Sequence, residues 1–203
     1  MVPMISSALK PAVTRLINPV ARLALRIGLT PNAVTVLGAL GLVTSAGYFY
    51  SHEKYFVGTL LICFFALSDL FDGAMARISD KGASAWGGFL DSTIDRITDS
   101  AIIIGVLVPL INADNHLSYI LLVTLVTGNL IPYIRAKAES FEIPCAVGIA
   151  ERTERVVIAL TAIGLHGLGV PYVLALGFWL LAILGIITVI QRLNTVRRGL
   201  AEK

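Results

Sequence analysis

The sequence predicts an all-α integral membrane protein with six transmembrane helices and an N-terminal cytoplasmic amphipathic helix. Hydrophobic residues make up 56% of the 203 residues, charged residues only 14%, and the mean hydropathy is +0.82. A typical soluble domain has about 25% charged residues, so this composition indicates that most of the chain lies in lipid. It gives no reason to expect a nucleic acid as a partner.

Apolar segments long enough to cross a bilayer recur along the chain. A helix needs about 20 residues to cross the hydrocarbon layer. Six segments are predicted to do so, and they are Ala33–Ser51, Tyr55–Arg77, Trp86–Ile111, Leu117–Lys137, Thr153–Leu165 and Pro171–Leu193.

The basic residues distinguish the two sides of the membrane. They cluster before the first segment, in alternate loops and after the last segment, whereas the opposite side keeps only Lys54. Because loops rich in Lys and Arg remain in the cytoplasm, both termini are predicted to be cytoplasmic. No cleavable signal peptide is expected, since the first strongly apolar segment begins only at Ala33.

The region before the first segment has the pattern of an amphipathic helix. Apolar residues recur there at steps of three or four, at Ile5, Leu9, Val13, Leu16, Val20, Leu23 and Ile27. We expect residues 1–30 to lie on the cytoplasmic leaflet as one helix or two, because Pro11 and Pro19 can each break it. Thr30 as N-cap and Pro31 as first helical residue mark the start of a six-helix bundle over residues 31–203, within one domain.

Four carboxylates interrupt the second and third apolar segments. Asp69 and Asp72 are three residues apart, and Asp91 and Asp95 are four apart, so each pair shares a helix face. If the two helices pack antiparallel, all four acids lie in one layer near the cytoplasmic side. A charged side chain at the bilayer centre costs on the order of 3 kcal/mol, so these acids require neutralisation.

Two kinds of partner would neutralise the acids. Arg77 and Arg96 could balance two of the charges as structural ion pairs. Clustered oxygen ligands without His or Cys nevertheless favour Mg²⁺ or Mn²⁺, and four carboxylates suit two ions. We therefore predict a site for two metal ions, with Mg²⁺ as the first choice and Mn²⁺ as the second.

Small residues beside the acids predict a bulky ligand. Gly73, Ala76, Gly87 and Gly88 leave space for its close approach, and Arg77 can hold a phosphate. A phospholipid or nucleotide-lipid substrate fits this pattern. The alternative is a cation transporter, which would be expected to have broken helices and an ion site near the bilayer midplane.

These residues resemble the signature of the CDP-alcohol phosphatidyltransferases. The pattern D-x2-D-G-x2-A-R-x9-G-x3-D-x3-D is formed by Asp69, Asp72, Gly73, Ala76, Arg77, Gly87, Asp91 and Asp95. The resemblance implies a membrane enzyme that transfers the phosphatidyl group of CDP-diacylglycerol to the hydroxyl of a small alcohol and releases CMP. It further implies a multi-pass homodimer of the bacterial cell membrane, for which Gly41 and Ser45 offer small residues at helix-packing spacing.

The resemblance also assigns roles to residues. Asp69, Asp72 and Asp91 would be metal ligands, and Asp95 would be both a ligand and the general base. Contacts to CDP-diacylglycerol would come from Pro31, Asn32, Ala33, Val34, Gly73, Arg77 and Ser84. Ser84 could instead serve only to cap its loop.

A group of arginines predicts a phosphorylated acceptor. Guanidinium groups bind phosphate by paired hydrogen bonds, and those expected at the level of the acids are Arg135, Arg152, Arg155 and Arg192. They could instead anchor lipid head groups. The segments YIRAKAE and IAERTER resemble the actinobacterial phosphatidylinositol phosphate synthases, which predicts inositol 1-phosphate as acceptor. Glycerol 3-phosphate, as in phosphatidylglycerophosphate synthases, is the alternative.

Overall fold

The computed structural model describes residues 17–79 and 84–201. All regular structure within these two ranges is helical. Helix α1 covers residues 17–26, and the predicted amphipathic helix before residue 17 lies outside the described residues. The other helices are α2 (Pro31–Ser45), α3 (Tyr55–Ala66), α4 (Ser68–Ile78), α5 (Ala85–Asn112), α6 (Leu117–Glu139), α7 (Arg152–Gly167) and α8 (Val173–Ala201).

Four helical segments in the described part of the chain are long and apolar enough to cross a membrane. They are Pro31–Tyr50, Tyr55–Ile78, Leu117–Glu139 and Val173–Ala201. Helix α7 has only 16 residues, and the first half of α5 carries several charged side chains. The structure therefore shows an all-helical membrane protein, and the count of six spans stays a prediction.

Two of these segments depart from a regular α-helix. Helix α2 continues into a π-helical turn at Ala46–Tyr50, and the second segment is interrupted at Leu67, between α3 and α4. The described residues form two compact units, to which α5 contributes one part each. The N-terminal unit contains the residues up to Thr44 and those of Leu61–Thr98, and the C-terminal unit contains Ser45–Leu60 and the residues from Asp99 onwards.

In the N-terminal unit, α1 packs against the helix that carries the first two aspartates. Ile17 and Ala21 of α1 form a buried cluster with Ala74 and Met75 of α4. The described residues that were predicted to form the apolar face remain exposed, and these are Val20 and Leu23 of α1 and Ile27, which directly follows it. One side of α1 therefore holds α4, while a separate apolar side faces away from the protein.

The start of α2 agrees with the sequence prediction. Pro31 is its first residue, and the Thr30 side-chain oxygen accepts a hydrogen bond of 3.2 Å from the Ala33 amide. Further along, Gly41 lies against the Phe65 ring, which a Cβ on Gly41 would approach to 2.4 Å. This glycine therefore serves packing within the chain, and its place at a dimer face stays a prediction.

In the C-terminal unit, α8 packs against both α6 and α7. The large, fully buried side chains of these three helices include Leu121, Ile163, Phe178 and Leu181. Close approach depends on small residues of α8, since Gly177 lies against Ala162 and Gly185 lies against Thr127. Such contacts let helix backbones approach closely in a membrane, where dispersion contacts supply much of the attraction between helices.

A glycine of α5 contacts the π-helical turn within the same unit, and this gives a stability prediction. A Cβ on Gly105 would lie 2.6 Å from the Ala46 carbonyl oxygen, which is backbone and cannot rotate away. We expect Gly105→Ala to lower the thermal unfolding midpoint, because overpacking costs about 1–3 kcal/mol and exceeds the gain of up to about 1 kcal/mol in helix propensity.

Gly128 of α6 provides the matched control for this substitution. It also lies inside a helix, but a Cβ there would meet nothing within 4 Å. Gly128→Ala should keep or raise the unfolding midpoint, measured by intrinsic fluorescence on detergent-solubilised protein. Equal midpoints for the two variants would contradict the close contact at Gly105.

Candidate active site

Three of the four predicted acids lie together in the N-terminal unit. Asp69 and Asp72 lie on α4 and Asp91 lies on α5, and one carboxylate oxygen from each is within 4.8 Å of the other two. The pair on α4 thus meets the first acid of α5, as the sequence predicted for these three residues. Asp72 is the most enclosed of the three, with 9% of its surface exposed.

This donor set fits a divalent cation. Two oxygens bound to one Mg²⁺ at about 2.1 Å are at most about 4.2 Å apart, so small side-chain rotations would bring all three acids onto one ion. Carboxylate oxygens are also the ligands that Mg²⁺ and Mn²⁺ prefer. The cluster can therefore hold a metal and, through it, an anionic group.

Thr35 orients the most buried of these acids, and sequence reasoning missed it. Its hydroxyl donates to Asp72 Oδ2 and lies 3.1 Å from the Pro31 carbonyl oxygen. Only 6% of Thr35 is exposed, so water competes little for this bond. A signal was present, because Thr35 follows Pro31 by one helical turn and directly continues the predicted segment from Pro31 to Val34.

Asp95 lies one turn beyond Asp91 in α5 and is not a member of the three-oxygen group. Its Oδ2 is 3.7 Å from the Arg96 guanidinium, and 16% of its side chain is exposed. The structure thus brings together three of the four predicted ligands. The two roles predicted for Asp95, as metal ligand and as base, remain predictions.

The residues predicted to contact CDP-diacylglycerol fall into two groups in the N-terminal unit. In the first group, the guanidinium of Arg77 lies back along α4, with Nη1 3.5 Å from the position of a Cβ on Gly73. Since this is an ordinary contact distance, the protein's own packing does not require a glycine there. The space beside Gly73 is therefore open to a ligand, and the Arg77 guanidinium lies next to that space.

In the second group, side chains from two segments meet at Gly87. A Cβ there would lie 3.1 Å from the Ser84 oxygen and 3.2 Å from the Asn32 oxygen. Ser84 also accepts a hydrogen bond of 2.9 Å from the Gly87 amide, so the capping role considered for it is present. Pro31 and Ala33 lie in the first turn of α2, and Val34 packs against the buried cluster of α1 and α4.

The four predicted acceptor arginines lie in the C-terminal unit and have two kinds of partner. Arg152 binds Asp99 through Nη2 at 3.1 Å and Nε at 3.2 Å, and Arg135 pairs with the exposed Glu139 at 2.9 Å. Asp99 escaped sequence analysis, although it repeats the four-residue spacing of Asp91 and Asp95.

The other two arginines donate to backbone carbonyl groups. Arg155 Nη1 donates to the Ala150 oxygen at 2.9 Å. Arg192 is buried, with 6% of its surface exposed, and it donates to the oxygens of Val147 at 2.9 Å and Ile131. A carbonyl oxygen fixes a guanidinium without cancelling its charge, so these contacts are compatible with anion binding.

The acid cluster, the small residues beside it and the helical membrane fold together define a class of enzyme. Residues 28–191 match the sequence model of the CDP-alcohol phosphatidyltransferases, so the chain belongs to this family. It is therefore a transferase, as the aspartate motif predicted. An Asp cluster in such an enzyme indicates dependence on a divalent metal.

Particular relatives within the family are similar over nearly the whole chain. The phosphatidylinositol phosphate synthase of Streptomyces avermitilis is 41% identical over 198 residues, covering 93% of this chain and 81% of the relative. That of Mycobacterium tuberculosis is 40% identical over 190 residues, covering 91% and 87%.

Crystal structures of the Mycobacterium tuberculosis enzyme have a similar fold. The structure with CDP-DAG bound has a TM-score of 0.85 at 41% identity, covering 90% of this chain and 94% of that one. The structure in complex with manganese and citrate has a TM-score of 0.84 at 40% identity, covering 89% and 88%. The resemblance found in the sequence is thereby confirmed.

Proposed function

We propose that this protein transfers the phosphatidyl group of CDP-diacylglycerol to inositol 1-phosphate, giving phosphatidylinositol phosphate and CMP. The main support for the proposal is the acid cluster of the family motif: one carboxylate oxygen each of Asp69, Asp72 and Asp91 lies within 4.8 Å of the other two. The phosphatidylinositol phosphate synthases that resemble it across more than nine-tenths of its length support the choice of acceptor.

The carboxylates and their neighbours bind the donor. Asp69, Asp72, Asp91 and Asp95 would hold two divalent ions, with Mg²⁺ preferred and Mn²⁺ accepted. When bound, these ions supply stabilisation of the negative charge on the diphosphate and on the departing CMP. Thr35 keeps the Asp72 carboxylate in one orientation through their hydrogen bond.

The diphosphate and nucleotide of the donor would be held by the other motif residues. Arg77 donates to phosphate oxygens, and the missing side chain of Gly73 leaves the surface of α4 open to them. Pro31, Asn32, Ala33, Val34 and Ser84 complete the contacts to the CDP group. Asn32 and Ser84 are suited to this role by their polar atoms, which meet at Gly87.

Asp95 accepts the proton of the acceptor hydroxyl in this proposal. The hydroxyl oxygen forms a bond to the phosphorus of the phosphatidyl group, the bond from that phosphorus to the CMP oxygen breaks, and the proton moves to the Asp95 carboxylate. Positioning a base in this way typically contributes about 10²–10⁴ in rate. Arg155 and Arg192 bind the acceptor phosphate, and Arg135 and Arg152 add positive charge to the same region of the C-terminal unit.

The remaining features of the protein follow from the family and from the distribution of charge. We propose that the chain acts as one domain, with six spans, cytoplasmic termini and a cytoplasmic active site, in a bacterial cell membrane. The exposed apolar residues of α1 support contact of this helix with lipid. A homodimer is proposed as the working form.

An acceptor panel tests the proposed reaction. Purified protein with CDP-diacylglycerol and Mg²⁺ is offered inositol 1-phosphate, free inositol or glycerol 3-phosphate, one at a time, and CMP release is measured. We expect turnover with inositol 1-phosphate and a rate with free inositol at least about 10²-fold lower, because charge-assisted bonds to the phosphate are lost. Turnover with glycerol 3-phosphate alone would identify a phosphatidylglycerophosphate synthase instead.

A further inference from the structure

The loop between α6 and α7 holds the two arginines that donate to carbonyl groups. This loop, residues 143–150, has no regular secondary structure. Its Val147 oxygen accepts from Arg192 Nε at 2.9 Å, and its Ala150 oxygen accepts from Arg155 Nη1 at 2.9 Å. Arginines from two different helices are therefore oriented by one short stretch of backbone.

Packing fixes both the start of this loop and the arginine that it holds. Ile143 and Cys145 are buried with Ala138 at the end of α6, and Val196 of α8 packs against them. The Cys145 thiol also donates to the Arg192 carbonyl oxygen, at 3.9 Å. The loop is thus linked to Arg192 of α8 twice, through the Cys145 thiol and through the Val147 carbonyl oxygen.

Gly148 lies between the two carbonyl groups and has a conformation that other residues rarely adopt. Its φ is +140°, and a Cβ would lie 2.5 Å from the methyl carbon of Thr188. Thr188 is fully buried, with 0% exposure, so it cannot turn outward to make room. A side chain at position 148 would therefore displace the backbone that carries the Val147 and Ala150 oxygens.

We propose that Gly148 is a positioning residue for the acceptor: it lets the 143–150 loop hold Arg155 and Arg192 in the orientation that binds the acceptor phosphate. This inference rests on the proposed function, and it adds a residue outside the motif to the determinants of acceptor specificity. A guanidinium held in place loses less freedom when it binds phosphate, so a displaced loop should weaken acceptor binding more than it slows the chemical step.

The test compares Gly148→Ala with Gly169→Ala in steady-state kinetics with CDP-diacylglycerol and inositol 1-phosphate. Gly169 is the matched control, because it also has a positive φ, of +84°, but a Cβ there would meet nothing within 4 Å. Gly148→Ala should raise the KM for inositol 1-phosphate about tenfold, with kcat and the KM for CDP-diacylglycerol within about twofold of wild type. Gly169→Ala should leave all three unchanged.

Two further variants keep the inference open to refutation. Adding Thr188→Ser to Gly148→Ala removes the methyl group that the new Cβ meets, and part of the KM should be recovered. If Gly148→Ala does not fold, Ala150→Gly provides the test instead. Glycine gives the backbone at the Ala150 carbonyl group more freedom, so this variant should raise the KM for inositol 1-phosphate about threefold.

The outcomes separate this inference from the function on which it rests. Wild-type protein that releases no CMP with inositol 1-phosphate would remove the proposed function and the inference together. Wild-type turnover combined with an unchanged acceptor KM in Gly148→Ala, or in Ala150→Gly where the first variant fails to fold, would overturn the inference alone. A lower thermal stability of Gly148→Ala without a change in the KM for inositol 1-phosphate would also overturn the inference, because Gly148 would then matter only for folding.

Discussion

Replacing Asp72 by asparagine is expected to lower CMP release by at least about 10³-fold. Asp72 is the most enclosed acid of the cluster, and one of its oxygens lies within 4.8 Å of those of Asp69 and Asp91. Asparagine keeps the size and can still accept the Thr35 hydrogen bond, but it removes the negative charge that attracts a divalent ion. A loss of about 4 kcal/mol in transition-state stabilisation corresponds to this factor.

The measurement pairs catalysis with metal binding. CMP release is followed with CDP-diacylglycerol, inositol 1-phosphate and Mg²⁺, and Mn²⁺ binding is followed by electron paramagnetic resonance. Asp114→Asn is the matched control, because Asp114 is exposed and has a φ of +49°, which asparagine tolerates well. It should keep wild-type activity. EDTA should abolish the wild-type rate, and Mg²⁺ or Mn²⁺ should restore it.

Near wild-type turnover by Asp72→Asn would remove this residue from the metal site. Turnover by wild-type protein in excess EDTA would remove the metal requirement altogether. A third result, in which Asp72→Asn fails to bind Mn²⁺ yet melts at the wild-type temperature, would show that the fold does not need the ion. That result is expected, since the cluster lies on two well-formed helices.

The acid cluster could be predicted because residues close together in the sequence determine which helix face each acid lies on. Asp69 and Asp72 share a face of α4 by their spacing, and Asp91 and Asp95 share a face of α5 for the same reason. Only the packing of these two consecutive helices against each other had to be assumed. Thr35 could not be found this way. Its bond to Asp72 joins residues 37 positions apart, and it depends on how α2 packs against α4.

The arginine partners were unpredictable for the same reason. Arg192 contacts Val147 and Ile131, which lie 45 and 61 positions away in the sequence. The loop that contains Val147 has neither helical nor strand periodicity, so its conformation could not be predicted from a sequence pattern. The glycine at position 148 was the available signal, because an isolated glycine in a loop often marks a positive φ.

The two irregularities in the helices also could not be predicted from the sequence. Hydrophobicity predicted the span Tyr55–Arg77 as one helix, because apolar content does not report the interruption at Leu67. The π-helical turn at Ala46–Tyr50 likewise has no signal in hydrophobicity, and its Ala46 carbonyl oxygen lies against Gly105, which is distant in the sequence. Both features change the direction of side chains without changing the composition.

Asp95→Asn is expected to lower kcat about 10³-fold while the KM for CDP-diacylglycerol stays near the wild-type value. A carboxylate that takes up the proton of the attacking hydroxyl contributes about 10²–10⁴ in rate, and an amide cannot accept that proton. Asp95 lies outside the three-oxygen group. Mn²⁺ binding by Asp69, Asp72 and Asp91 should therefore survive the substitution better than it survives Asp72→Asn.

The control for this variant lies on the same helix. Thr93 is exposed and its hydroxyl donates to the Phe89 carbonyl oxygen at 2.8 Å, so Thr93→Ala tests the effect of a neutral change beside the acids. It should keep the wild-type kcat. Substitution of Asp95 by Asn is the informative change because it keeps volume and hydrogen bonding while removing proton acceptance.

Raising the Mg²⁺ concentration separates the two roles proposed for Asp95. If the residue were only a metal ligand, saturating Mg²⁺ would restore most of the lost rate, because mass action compensates for a weaker site. If it is the base, saturation with Mg²⁺ leaves kcat low, since the proton still has no acceptor. A rate that recovers fully with Mg²⁺ would therefore reassign Asp95 as a ligand and place the base elsewhere. A rate that stays low at saturation, with Mn²⁺ bound and the fold intact, assigns proton removal to this carboxylate.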